Sequence, residues 1–139
     1  MRKWKTSLKG VIDGRLLLDT AVLIYAVDSP EQLSRRAAAA LQDETTSLEL
    51  SAVSLTEIAI KHKVGKLTFP PEIVRKAIET LSIRVVPYTA EHAFRLFELP
   101  LHHRDPFDRQ IIAQALSEDI SIVTPDKQFS AYKGIKIIW

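Results

Sequence analysis

Short apolar runs alternate along the chain with stretches of helical spacing. Residues 15–19 (RLLLD) are an apolar run closed by an acid, the pattern of a buried strand that delivers a carboxylate to the C-terminal edge of a sheet. Residues 29–44 (SPEQLSRRAAAALQDE) predict a helix with Ser29 as N-cap, Pro30 at the first helical position and an alanine-rich body. A second strand is expected at 48–53 (LELSAV), followed by a helix over 54–65 that Gly65 closes. After Pro70 and Pro71 the spacing predicts a helix over 71–82, a strand at 83–86 and a Thr89-capped helix to about residue 98. Beyond the polar loop HHRD, the residues Phe107, Ile111, Ile112, Ala115 and Leu116 keep helical spacing. Residues 121–124 (SIVT) and 135–139 (IKIIW) read as the last strands.

Strands alternating with helices imply an α/β fold: a mostly parallel central sheet flanked by helices in three layers, with any site at the carboxyl ends of the strands. At 139 residues the chain fits a single domain over 15–139, preceded by a basic extension at 1–14. The longest apolar stretch, 16–27, is interrupted by Asp19 and is shorter than the roughly 18 to 20 residues a bilayer requires. With no signal-peptide pattern either, a cytoplasmic protein without a membrane partner is expected. The absence of cysteine excludes disulfides, iron–sulfur clusters, thiolate zinc sites and a cysteine nucleophile. A net charge of +2 is too small to identify a nucleic-acid partner.

Four glycines, at 10, 14, 65 and 134, cannot supply a dinucleotide fingerprint or a phosphate-binding loop. Neither a G-x-S-x-G elbow nor an H-E-x-x-H helix is present. Carboxylates remain. Asp19 ends the first strand, Glu57 lies in the first turn of the helix after the second, Asp105 and Asp108 open the long helix, and Asp126 follows SIVT. All five map to one edge of the expected sheet, where they would repel one another unless a divalent cation neutralised them. An all-oxygen donor set favours Mg²⁺ or Mn²⁺. Such an ion can activate water and offset charge on a phosphate.

Each acid also has a plainer role. Ser54-x-x-Glu57 matches a capping box, Asp105-Pro106 matches an N-cap with proline after it, Asp108 suits the helix dipole, and Asp126 suits a turn. Asp19 is hardest to dismiss, since an acid directly after LLL at a strand end needs a hydrogen bond or a metal. His102 and His103 are adjacent, and neighbouring side chains seldom converge on one ion.

The segments LLLDTAVLIYAV, SAVSLTEIAIKHKVGKL, HHRDPFDRQIIAQAL and SIVTPDKQFSAY resemble, in order and spacing, the four motifs of the PIN domain, in particular the VapC-type ribonuclease toxins of prokaryotic toxin–antitoxin pairs. The resemblance covers residues 15–139 and implies an endoribonuclease in which Asp19, Glu57, Asp108 and Asp126 bind Mg²⁺ or Mn²⁺. It gives supporting roles to Asp105, to Thr124 and to Thr20 beside Asp19, and it implies an RNA substrate, a small antitoxin partner and a homodimer. Lys61, Arg109 and Lys127, closest in sequence to the acids, are the candidates for contact with the phosphate backbone. Two alternatives share the fold: a PIN module that binds RNA or protein without cutting, and a metal-dependent nuclease acting on DNA.

Overall fold

Leu16, Leu17 and Leu18 are fully buried because β1 (Arg15–Leu18) is the central strand of a sheet covered on both faces. The computed structural model describes residues 14–139. The extension expected at 1–14 thus lies outside the described residues except for Gly14, whose carbonyl accepts from Ser47 N at 2.7 Å. The other strands are β2 (Ser47–Ser51), β3 (Arg84–Val86), β4 (Ser121–Val123) and β5 (Ile137–Ile138). The order is β3-β2-β1-β4-β5 and every pairing is parallel. In such a sheet the crevice lies where the order reverses, here between the carboxyl ends of β1 and β4.

Alternation along β1 divides the core. Leu16 and Leu18 join Val22, Leu23, Ala37, Ala40, Leu50 and Phe69 on one face, while Leu17 joins Ile111, Ile112, Ala115, Ile122 and Phe129 on the other. The first face is covered by α1 (Thr20–Asp28), α2 (Arg35–Gln42) and α4 (Pro71–Thr80). The second is covered mainly by α6 (Pro106–Glu118), against which α5 (Ala90–Arg95) packs. Between these groups α3 (Ala52–Lys63) contributes Ile58 to the first core and Val53 to the second.

The expected α/β order stands, with local corrections. Residues 20–28, unassigned from the pattern, form α1, because TAVLIYAVD has no polar stripe to betray a helical period. The helix expected over 29–44 is broken: Pro30–Gln32 is a 3₁₀ turn, Leu33 is extended and packs on the core, and Ser34 rather than Ser29 caps α2 by accepting from Ala37 N at 3.0 Å. The second strand ends at Ser51 and α3 starts two residues earlier than expected, capped by Ser51, which accepts from Val53 N at 3.1 Å. Ser54 therefore caps nothing and the Ser54/Glu57 capping box does not form. Glu57 lies in the second turn. Gly65 does close α3, at φ +80° with its N–H on His62 O and the next N–H, from Lys66, on Lys61 O. The fourth helix ends at Thr80, α5 ends at Arg95 before a run of turns, and the last strand is only Ile137–Ile138. A further 3₁₀ turn covers Lys127–Ala131. Ala37 and Ala40, on the small-residue face of α2, are buried in the first core.

At the end of the sheet remote from the crevice, Arg15 holds Glu49 through Nε and Nη2, both at 2.7 Å, and Glu118 at the end of α6 through Nη2 at 2.6 Å. His92 Nε2 completes the group at 2.8 Å from Glu118 Oε2. Glu49 is fully buried, so Arg15→Ala strands a charge inside the fold. Because Arg15 is 37% exposed and water can reach part of the gap, the expected loss in urea unfolding is about 3 kcal/mol, the lower end for a broken buried pair. The apolar double variant Arg15→Met/Glu49→Leu should recover most of it. An Arg15→Ala variant as stable as the parent would refute this account of the network.

Candidate active site

The register brings the first two site residues together. Leu18 is aligned with Val123, so the residues that follow them, Asp19 and Thr124, emerge side by side from β1 and β4. Asp19 N donates to Val123 O at 3.0 Å, and the Thr124 hydroxyl, 1% exposed, donates to Asp19 Oδ2 at 2.8 Å. Asp19 holds the N-cap position of α1 yet its side chain makes no capping bond. Its carboxylate is turned to the crevice instead. The same Thr124 oxygen accepts from Asp126 N at 3.0 Å and so sets the turn that carries the next acid.

Glu57 arrives from the other side. Ser54, Glu57 and Ile58 form the buried stripe of α3, and the Thr20 hydroxyl at the start of α1 donates to Ser54 Oγ at 2.8 Å, joining the two helices. Glu57 Oε2 receives Lys61 Nζ at 2.6 Å, one turn along the helix, whereas Oε1 is buried without a hydrogen-bond partner among the described residues. Asp105 caps α6 as expected, accepting from Phe107 N and Asp108 N, both at 2.9 Å. This puts Asp108 at the third helical position. Asp126 caps the 3₁₀ turn by accepting from Gln128 N.

Asp19, Glu57, Asp105, Asp108 and Asp126 all line one open cavity of about 420 Å³, together with Thr20 and Lys61. Their charges are poorly compensated. Burial, with the charges of Asp19, Asp105, Glu57 and Asp126 adding to it, pushes Asp108 from an ordinary 3.8 up to about 8. Asp19 rises to about 6, mainly through burial, with the Thr124 hydrogen bond opposing and the Glu57 charge adding. The Lys61 ammonium is held above its usual range by Glu57.

An oxygen-only donor set, an unpartnered Glu57 oxygen and carboxylates that resist ionisation together suit a hard divalent cation. Among the described residues no three acidic or histidine side chains stand close enough to form a finished coordination shell. The acids face one cavity without yet converging on one point.

Two of the three basic candidates lie elsewhere. Arg109 does not line the acidic cavity: its guanidinium donates to Leu99 O at 3.1 Å, Pro100 O at 2.7 Å and Tyr132 Oη at 3.3 Å, which fastens the loop before α6. Lys127 is exposed at the start of its 3₁₀ turn and does not line the cavity either. The histidine pair shares no ion site: His102 packs edge-on against Tyr132, and His103 contacts Tyr132 and Asp108. Tyr132, which joins His103 and Arg109, carries no local sequence signal of that role.

No helix among the described residues is long and apolar enough to cross a membrane. No curated protein sequence matches the chain. Solved structures do share the fold. The VapBC complex of Rickettsia felis bound to a promoter DNA fragment has a chain 16% identical, with 88% of this chain and 96% of that chain covered, at a TM-score of 0.68. DNA-bound VapBC of Salmonella typhimurium gives 19%, 88%, 96% and 0.67 in the same order. FitAcB of Neisseria gonorrhoeae gives 20%, 88%, 95% and 0.56. At such identities the likeness is one of fold. The sequence profile of the PIN domain, however, matches residues 16–135, nearly the whole chain, and this protein therefore belongs to the PIN domain family.

Proposed function

We propose that this PIN domain is a Mg²⁺- or Mn²⁺-dependent endoribonuclease and the toxin of a toxin–antitoxin pair. The observation that carries the reading is the meeting of Asp19, Glu57, Asp108 and Asp126, from four separate elements, at one cavity. These four would hold the ion, with Asp105, Thr124 and Thr20 in support. A divalent ion bound there supplies an activated water and offsets the negative charge that builds on a phosphate during hydrolysis. Left unneutralised, the same carboxylates would repel an RNA backbone. Thr124 keeps Asp19 turned inward, and Asp105, by capping α6, keeps Asp108 at the mouth of the helix. Lys61 lines the cavity and is the best-placed of the basic candidates to meet a phosphate; Arg109 and Lys127 stand outside it.

Partner proteins follow the same reasoning. The fold neighbours come from complexes of toxins with antitoxins, which supports a cognate antitoxin here. Phe94 and Phe97, 68% and 86% exposed with rings 6.1 Å apart, form an apolar patch of the kind that self-association covers, which supports a homodimer. Phe97→Asp should then shift the protein toward monomer in sedimentation equilibrium, and an unshifted dimer would exclude this face.

Incubating total RNA with the purified protein should give discrete fragments with Mn²⁺ or Mg²⁺ and none with EDTA. Asp108→Asn should fold normally and lose at least about a hundredfold in rate, as expected when one electrostatic group leaves a preorganised site. An Asp108→Asn variant as active as the parent would defeat the assignment, and cleavage of DNA in preference to RNA would change the substrate.

Stability should report the same charges. Asp19 and Asp108 are raised in the folded state, to about 6 and about 8, so each favours folding fully below its ordinary pKa of 3.8, and that contribution is lost as pH climbs to the folded value. Metal-free protein should thus melt at progressively lower temperature from pH 5 to pH 8. Asp108→Asn should flatten that slope. Mn²⁺ at a hundredfold excess over its Kd at pH 8 should add about 2.7 kcal/mol of stability, and the same concentration should raise the melting temperature less at pH 6. A melting temperature indifferent to both pH and Mn²⁺ would contradict the crowding of charge described above.

A further inference from the structure

Behind Asp108 stands a polar group that neither the acids nor the core accounts for. His103, on the loop before α6, has a side chain only 9% exposed, with its ring centroid 6.0 Å from that of Phe129. Its Nδ1 lies 2.7 Å from Tyr132 Oη. Its Nε2 is buried, has no hydrogen-bond partner among the described residues, and lies 3.6 Å from Asp108 Oδ2.

Tyr132 settles which ring nitrogen carries the proton. Its oxygen accepts from Arg109 Nη1 at 3.3 Å and from the His103 backbone N–H at 3.4 Å, so both lone pairs are engaged and the hydroxyl proton is left to donate. The acceptor within reach is His103 Nδ1. An imidazole that accepts at Nδ1 carries its proton on Nε2, the nitrogen that faces Asp108. Arg109 is itself fixed on the carbonyls of Leu99 and Pro100, so the chain from loop to ring is anchored at its far end. A small rotation would close 3.6 Å to a hydrogen bond.

We propose that His103 is a positioning residue for Asp108: its Nε2–H takes one carboxylate oxygen and leaves the other directed into the acidic cavity. The inference rests on the metal-nuclease reading above. It differs from a packing role, because packing needs the ring and the Tyr132 bond, whereas positioning needs an N–H at the Nε2 location.

Two substitutions in the full chain separate these roles. The amide nitrogen of His103→Gln reaches the place of Nε2, while that of His103→Asn reaches only the place of Nδ1. The readout is the Mn²⁺ dissociation constant by titration calorimetry, with the metal-free melting temperature serving to establish that each variant folds. Outer ligand partners are typically worth 10- to 100-fold in metal affinity, so His103→Asn should weaken Mn²⁺ binding at least about tenfold and His103→Gln less than about threefold. Asn binding Mn²⁺ as tightly as the parent, or Gln weakened as much as Asn, would overturn the proposal while leaving the metal site intact. A parent protein that takes up no Mn²⁺ would overturn the metal-site reading and this proposal with it. Should His103→Asn fail to fold, Tyr132→Phe removes the hydroxyl that sets the tautomer and keeps the ring. It should weaken Mn²⁺ binding in the same direction, and unchanged binding would count against the proposal.

Discussion

Mutual repulsion among carboxylates at the carboxyl end of the sheet is the constraint around which the rest of the molecule is arranged. Five acids carried by four elements line one cavity, and two of them, Asp19 and Asp108, resist ionisation there. Concentrating like charge in a half-buried crevice disfavours the fold, so the groups that carry the acids must be held from behind. Three leucines with no solvent exposure anchor β1 beneath Asp19, and the Thr124 hydroxyl fixes its carboxylate. The isoleucines of α6 anchor the helix beneath Asp108. The cores on the two faces supply the cohesion that the crevice lacks.

The opposite end of the sheet shows how the same chain treats acids it has no use for in the crevice. Glu49 and Glu118 are both held by one guanidinium, that of Arg15, and His92 adds to Glu118. Burial would raise Glu118, but the Arg15 hydrogen bond and charge overcome it and hold this carboxylate below its usual range. In the crevice the only basic side chain among the lining residues is Lys61, and its ion pair is with Glu57. One cluster is neutralised by the protein; in the other the carboxylates outnumber the single lining base. The two are linked mechanically, since α6 carries Asp108 near one end and Glu118 at the other, and the Arg15 contact fixes the position of the helix along its axis.

The loop before α6 adds a second kind of control. Arg109 was a candidate for RNA on grounds of sequence proximity, but proximity along a helix does not set direction: its side chain turns back onto the Leu99 and Pro100 carbonyls. Together with Tyr132 and His103 it forms a hydrogen-bonded brace behind Asp108. Such a brace is assembled from residues 99 to 132, and no local pattern announces it.

What the sequence determined by itself were the features written in short-range chemistry. Alternating apolar runs and helical spacings are enough to specify a layered α/β fold, because a parallel strand must be buried on both faces and a helix must bury a stripe. The Asp105-Pro106 cap and the Gly65 helix end are equally local, and both formed as expected. The order of strands and helices also put the five acids at one edge of the sheet, and they line one cavity there. Where local signals compete, the pattern failed: Ser29 and Ser54 were as good caps on paper as Ser34 and Ser51, and only the demands of the core, with Leu33 drawn inward and β2 ending at Ser51, chose between them. That choice freed Glu57 from a capping box. The pairing of Thr124 with Asp19, across 105 positions of sequence, and the pairing of Thr20 with Ser54 depend on strand register and helix docking. Tertiary structure alone decided these, because a hydrogen bond between distant residues is fixed by where the backbone has been carried, and no residue type encodes its partner.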